Sequence, residues 1–323
     1  MSKLAIRPYT RGLHDLGDGL YAWLQPDGGW GWSNAGLIVD GEESLLVDTL
    51  FDLRLTADML TAMKGAEPLA ASNIGTLVNT HANGDHCNGN ELVSGAEIIS
   101  SEITAEEMRN ETPQLMVEYL KAAPDLGEMG EYFVHCFGDF EFEGITQCYP
   151  TTTYQHALQR KVGDKAVELI EVGPAHTGGD TLVYVEQDKT VFTGDILFIE
   201  GHPLMWNGPV GNWIAACNRM LAMDLETVVP GHGPVTDKKG VTAVRDYLQY
   251  ISDEARKRFD AGLDLYDAAM DISLTDYSSW GDAERIVANV SSLYSEFSGV
   301  NSRAEIADIF ALMTRIYNDK RRN

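Results

Sequence analysis

The sequence predicts an α/β protein, a single core of interleaved strands and helices followed by a helical extension. Short apolar runs bounded by glycine, proline or acidic turn residues recur through the first three quarters of the chain. Segments with apolar residues at helical spacing alternate with them, and beyond Asp237 only the helical period persists. Strands interleaved with helices build a layered core, and a purely helical tail packs onto it.

In chain order, residues 19–24, 34–39 and 44–49 read as strands, the last two joined as a hairpin by the turn Asp40-Gly41-Glu42-Glu43. A glycine-rich loop with Trp30 and Trp32 separates the first two. Leu55, Met59, Leu60 and Met63 predict the first helix, with Gly65 as its stop. Residues 75–79 read as a short buried strand, followed by a helix from about Asn88. From 101 to about 143 the pattern is helical but irregular, an insertion placed to cover one side of a pocket. Strands follow at 168–172, 181–185 and 190–193, then a helix at 212–223 and a last strand at 227–230. Val244, Leu248, Ile251, Ala255 and Phe259 make one helical stripe; Ile306, Ile309, Phe310, Met313 and Ile316 make another. The division is therefore a domain at 1–237 carrying the insertion, and a helical extension at 238–323 packed on it.

The 323 residues hold 24 basic and 49 acidic side chains, a net charge of −25. Such a surface repels phosphate backbones and anionic lipid, so neither nucleic acid nor a membrane is expected as a partner. A small-molecule substrate remains, with a homodimer as the one assembly entertained. No segment approaches the about 20 apolar residues that span a bilayer. Cys87, Cys136, Cys148 and Cys217 are scattered, and the first residues lack the apolar core of a signal peptide. A cytoplasmic protein with reduced thiols is the expectation.

The chain is organised around Thr80-His81-Ala82-Asn83-Gly84-Asp85-His86-Cys87, where a strand meets a helix. Two imidazoles and a carboxylate in one turn suit zinc, or iron or manganese if more oxygen donors join. Three further candidates each sit where a strand pattern stops. His176 lies in Pro174-Ala175-His176-Thr177-Gly178-Gly179, Asp195 in Thr193-Gly194-Asp195, and His232 in Pro230-Gly231-His232-Gly233. Glycine or proline flanks each one, which lets the backbone bring a side chain into a crowded centre. His14, His135 and His156 fall in no motif, and Cys87 reads as a packed residue at a helix start.

The ordered set His81, Asp85, His86, His176, Asp195, His232 resembles the metallo-β-lactamase superfamily. The resemblance implies an αββα sandwich with two divalent metal ions, zinc above all, at one edge between the sheets. It places His81 and His176 on the first ion, Asp85, His86 and His232 on the second, and Asp195 between them. One position departs: the family signature is His-x-His-x-Asp-His, and Asn83 stands at the middle histidine. A carboxamide is a neutral oxygen donor, poorer than imidazole for zinc, so Asn83 is expected to be a weak ligand or none. The first site is then weak or empty.

A bound divalent ion lowers the pKa of water to about 7 and polarises a carbonyl. The expected activity is hydrolysis of an ester, lactone or thioester of a small apolar or aromatic molecule, with Asp85 holding the attacking water. A metal-dependent cyclase or lyase, an iron redox enzyme and a metal-binding protein with reduced catalysis are the alternatives. Trp30, Trp32, Trp206 and His202 are the candidate substrate contacts, the tryptophans because large aromatics on glycine-rich loops suit flat apolar ligands.

Overall fold

The computed structural model describes residues 3–299 and 304–322, the last three of these by backbone alone. Seven strands form one sheet: β1 (Gly12–Gly17), β2 (Leu20–Leu24), β3 (Ala35–Asp40), β4 (Glu43–Val47), β5 (Thr76–Val78), β6 (Glu97–Ser101) and β7 (Thr152–Tyr154), in that spatial order. The first four pair antiparallel, and β4 to β7 run parallel. Five strands form the second sheet: β8 (Ala157–Val162), β9 (Lys165–Glu171), β10 (Thr181–Val185), β11 (Thr190–Phe192) and β12 (Thr227–Val229). Only its last pair, β11 with β12, is parallel.

Alternation along the strands builds four layers. Ile38, Leu45, Val47 and Val78 of the first sheet share one core with Val167, Leu169, Val183, Phe192 and Val229 of the second. The opposite faces, Leu37, Leu46 and Leu77 on one side and Leu182, Val191 and Val228 on the other, belong to a larger core under helices. Both faces of each sheet are covered, which is why the central strands read as nearly continuous apolar runs. α1 (Leu53–Ala66) buries Leu55, Met59, Leu60 and Met63. α6 (Val210–Ala222) and α7 (Lys238–Asp260) pack together on the far side. The fold is the αββα sandwich expected, with a C-terminal helical extension.

Between them, α2 (Gly84–Cys87) is one turn, and the insertion holds α3 (Glu102–Glu107), α4 (Pro113–Ala122) and α5 (Gly127–Phe137). After α7 come α8 (Leu265–Asp271), α9 (Ile286–Ser298) and α10 (Ile306–Arg322). Asn289 of α9 grips the chain at residues 203–205: Met205 N donates to Oδ1 and Nδ2 donates to the Pro203 carbonyl, each at 2.8 Å. Tyr132 of α5 donates to Glu284, just before α9, at 3.0 Å. Insertion and extension are thereby tied to each other and to the core.

The sequence reading differs in several places. β1, β6, β7 and β8 lie outside the expected strands. β1 and β8 are edge strands whose residues are mostly half-buried or exposed, so neither shows an apolar run. Gly65 does not stop the first helix, which runs to Ala66 and closes with Glu67 N donating to the Met63 carbonyl at 2.8 Å. No helix starts at Asn88: the single turn α2 ends at Cys87 and a 3-10 turn follows at Asn90–Val93, so that Asp85 and His86 are themselves helical. Phe259 is half-buried and Ile306 is exposed, so each departs from the buried stripe assigned to it.

Gly36 in β3 lies under the Phe192 ring, with which a Cβ would collide. Gly36→Ala should destabilise the sandwich by about 1–3 kcal/mol through overpacking. Phe192→Leu in the same background should return part of the loss, as read by urea unfolding.

Candidate metal centre

Four connections deliver the candidate ligands to one edge of the sandwich. His81, Asp85 and His86 follow β5, His176 follows β9, Asp195 follows β11, and His232 follows β12. Each connection is held by specific bonds. The His86 carbonyl accepts from Thr49 N and Asn79 Nδ2, both at 3.0 Å. After His176, Asp180 accepts from Thr177 N and Oγ1, while Ser101 and Thr104 hydroxyls both donate to the Gly179 carbonyl at 2.9 Å. Glu107 of α3 accepts from Gly178 N. Asn34 Nδ2 donates to the Pro230 and Gly233 carbonyls on either side of His232. Gly231 is required because a Cβ there would strike Asp195 Oδ1.

All four imidazoles are fixed through Nδ1. His81 Nδ1 lies 3.1 Å from Thr80 Oγ1, His86 Nδ1 2.9 Å from Asp48 Oδ2, His176 Nδ1 2.5 Å from the Leu204 carbonyl, and His232 Nδ1 3.1 Å from the Gly28 carbonyl. With Nδ1 as donor, each ring turns Nε2 inward, the nitrogen through which its neutral form would bind a metal. Those Nε2 atoms surround Asp195, at 3.1 Å for His86, 3.3 Å for His176, 3.4 Å for His232 and 3.7 Å for His81. His232 Nε2 is also 3.2 Å from Asp85 Oδ2.

The ligand atoms of His81, His176 and Asp195 lie within 4.8 Å of one another, as do those of Asp85, His86 and His232. All six residues are buried. His81 Nε2, His86 Nε2 and Asp195 Oδ1 have no hydrogen-bond partner, which buried polar atoms ordinarily have. Nitrogen and carboxylate donors converging with unsatisfied atoms fit divalent metal ions, two at most. The local charge agrees. Burial alone would lower the pKa of His232, but Asp195 and Asp85 outweigh it and raise it to about 9. Burial would likewise raise Asp195, yet His232, His86, His81 and His176 hold it well below the usual carboxylate range. Carboxylates and imidazoles thus stabilise each other's charge across the site.

Residues 28–232 match the family model described as Metallo-beta-lactamase superfamily, well over half of the chain. The chain belongs to the metallo-β-lactamase superfamily. Members of this superfamily are generally metal-dependent hydrolases. A relative in Caenorhabditis elegans, Beta-lactamase-like protein 2 homolog, is 24% identical over 68% of this chain and 61% of its own length. This chain thus spans less than two thirds of that relative. The stereoselective inverting sec-alkylsulfatase Pisa1 from Pseudomonas sp. superposes with a TM-score of 0.65 at 16% identity, over 90% of this chain and 50% of the sulfatase. A metallo-beta-lactamase from Pontibacter korlensis gives 0.54 at 20% identity, over 74% of this chain and 99% of that one.

In this metallo-β-lactamase fold a cavity of about 600 Å³ opens directly over Asn83, Asp85, His176, Asp195 and His232. Its walls are mainly apolar and include the aromatic rings of Trp30, Phe51, Phe137, Phe198, Trp206 and Phe310. Trp30 and Trp206, both singled out from the sequence, line it. Trp32 instead packs on Phe140 beneath the Arg11 guanidinium. His202 is fully buried, with Nδ1 2.8 Å from the Gly281 carbonyl and rings of Tyr247 and Trp280 around it. Neither lines the cavity: Phe140 holds the Trp32 ring away from it, and the chain dips at His202 against Tyr247 of α7 before Leu204, Met205 and Trp206 return to the wall.

Sequence reasoning missed the residues behind the ligands: Asp48, Asn34, Glu111 and Asn289. Only Asp48 carried a signal, a carboxylate closing the apolar strand Leu45-Leu46-Val47. It accepts from Thr80 N and Thr80 Oγ1, both at 2.7 Å, as well as from His86. Asp48→Asn should weaken zinc binding about 10–100-fold, the usual cost of losing a carboxylate behind a ligating histidine. Calorimetric titration of the apoprotein reads this directly.

Proposed function

We propose that the protein is a metal-dependent hydrolase that cleaves an ester-type bond in a small molecule with an apolar or aromatic body. The observation that carries this reading is the aromatic cavity standing on the two ligand groups. A divalent ion bound there supplies Lewis acidity and a coordinated water of pKa about 7. The chain's own residues supply the rest. Asp85 reaches both the cavity and His232, so its carboxylate can orient an attacking water and take its proton. Asp195, surrounded by four imidazoles, fixes the centre rather than the substrate. Asn110 at the cavity wall offers an amide donor to the reacting oxygens, and the apolar walls limit access of bulk water.

Carboxylic esters, lactones and thioesters are the first substrates to try, since their leaving groups make small demands on the metal. Sulfate esters of apolar alcohols form the second reading. The likeness to the alkylsulfatase, unlike that to the lactamase, extends over 90% of the chain and so into the helical extension. That extension furnishes Arg285, Ile309 and Phe310 to the cavity. Free thiols at Cys87, Cys136, Cys148 and Cys217 support a reducing, cytoplasmic setting, and no helix among the described residues is long and apolar enough to cross a membrane.

A panel of carboxylic esters, lactones, thioesters and alkyl sulfates, assayed with the metal-loaded protein, separates the two readings. Metal binding without turnover of any member would assign the protein to metal binding instead. His232→Ala should abolish turnover and remove one equivalent of metal, because three protein ligands are the usual minimum for a catalytic zinc. Full retention of both would refute the assignment.

Trp30→Ala should change the ranking of substrates by size of their apolar part, with modest effect on melting temperature. Trp32→Ala should do the reverse, costing roughly 3 kcal/mol of stability as a packed aromatic does while leaving the ranking intact.

A further inference from the structure

Asn83 stands where the superfamily signature has a histidine, and its carboxamide is held at both ends. Nδ2 donates to Glu111 Oε2 at 2.8 Å, and Oδ1 faces His176 Nε2 at 2.8 Å. The opposite side of His176 fixes its tautomer. The Leu204 carbonyl beside Nδ1 only accepts, so Nδ1 carries a proton and Nε2 is the nitrogen turned to the ligand group. Asn83 Oδ1 and His176 Nε2 thus meet 2.8 Å apart on the side of the ligand group. With Nδ2 engaged by Glu111, the amide presents its oxygen to His176. The ligand group of His81, His176 and Asp195 lies at the same place, so a cation held there would be within reach of both atoms.

We propose that Glu111 is a positioning residue that turns the Asn83 carboxamide into an oxygen ligand of the first metal site. The bond from Nδ2 to a carboxylate is charge-assisted, which fixes the amide plane and draws negative charge onto Oδ1. Glu111 lies in the insertion, between α3 and α4. The departure from the signature and the inserted segment are then two parts of one device. The inference rests on the metal centre of the proposed function and is independent of which bond is hydrolysed.

The test is zinc titration of the apoprotein by calorimetry, paired with the visible absorption of the cobalt-loaded protein. The wild type should bind two ions. Glu111→Ala and Asn83→Ala should each weaken one of the two sites about 10–100-fold and alter the cobalt bands, leaving the other site unchanged. Glu111→Gln, whose side-chain oxygen still accepts from Asn83, should restore most of the affinity and the wild-type spectrum. The untouched site serves as the folding control. Wild-type binding and spectra in Glu111→Ala would overturn the proposal, as would equal weakening of both sites or a wild type that binds a single ion. A protein that behaves as expected here yet hydrolyses nothing sinks the proposed function alone.

Discussion

Asp48 closes β4 with its backbone in the left-handed region, φ 63°, which an aspartate tolerates better than most residues. That conformation aims a fully buried carboxylate across to the end of β5. There it receives Thr80 N, Thr80 Oγ1 and His86 Nδ1. Burial pushes its carboxyl above the ordinary range in spite of these donors, so the group is held where it is costly to keep charged. The same Thr80 hydroxyl, having donated to Asp48, accepts from His81 Nδ1. One carboxylate thus sets the ring orientation of two candidate ligands, one in each group. Backbone carbonyls of Leu204 and Gly28 play the corresponding part for His176 and His232.

The chemistry of the site was legible because it is written in residue type. Histidine and aspartate at strand ends, flanked by glycine, stand out without reference to distant sequence, and the structure gathers all six at one edge of the sandwich. The apolar central strands were legible for a similar reason, since burial on both faces leaves no doubt about period. What escaped was whatever depends on pairing or on a remote partner. β1 and β8 are strands because neighbours bond to them, not because of their own pattern. Trp32 and Trp30 sit two residues apart on one loop and look alike in sequence. Only the arrival of Phe140 beneath one and of Arg285 against the other separates a packing residue from a wall of the cavity. His202 shows the converse: a histidine near a ligand need not face the site.

The helical extension carries more of the site than its place in the chain suggests. Asn289 shapes the segment whose carbonyl fixes His176, so a residue well over a hundred positions downstream of β5 bears on the first ligand group. Arg285 lies over the rings of Trp30 and Phe198 at 4.6 and 5.4 Å, and Phe198 stacks on His232 at 5.0 Å. Cation, two aromatic rings and ligand form a continuous stack from extension to centre. The Tyr132–Glu284 bond adds the insertion, so both walls of the cavity lean on the same short stretch before α9.

The candidate ligands descend from both halves of the sandwich, three from the end of β5 in one sheet and three from β9, β11 and β12 in the other. An ion coordinated across that seam is a removable cross-link between the sheets. The separated, unfolded chain offers no such constellation, so binding energy becomes folding energy. Free ion at 100 times its dissociation constant adds about 2.7 kcal/mol to the native state, a sizeable share of the stability of an ordinary domain. Were an ion held across that seam, its supply would add to the folded fraction of the protein, and its scarcity would lower stability together with occupancy of the site.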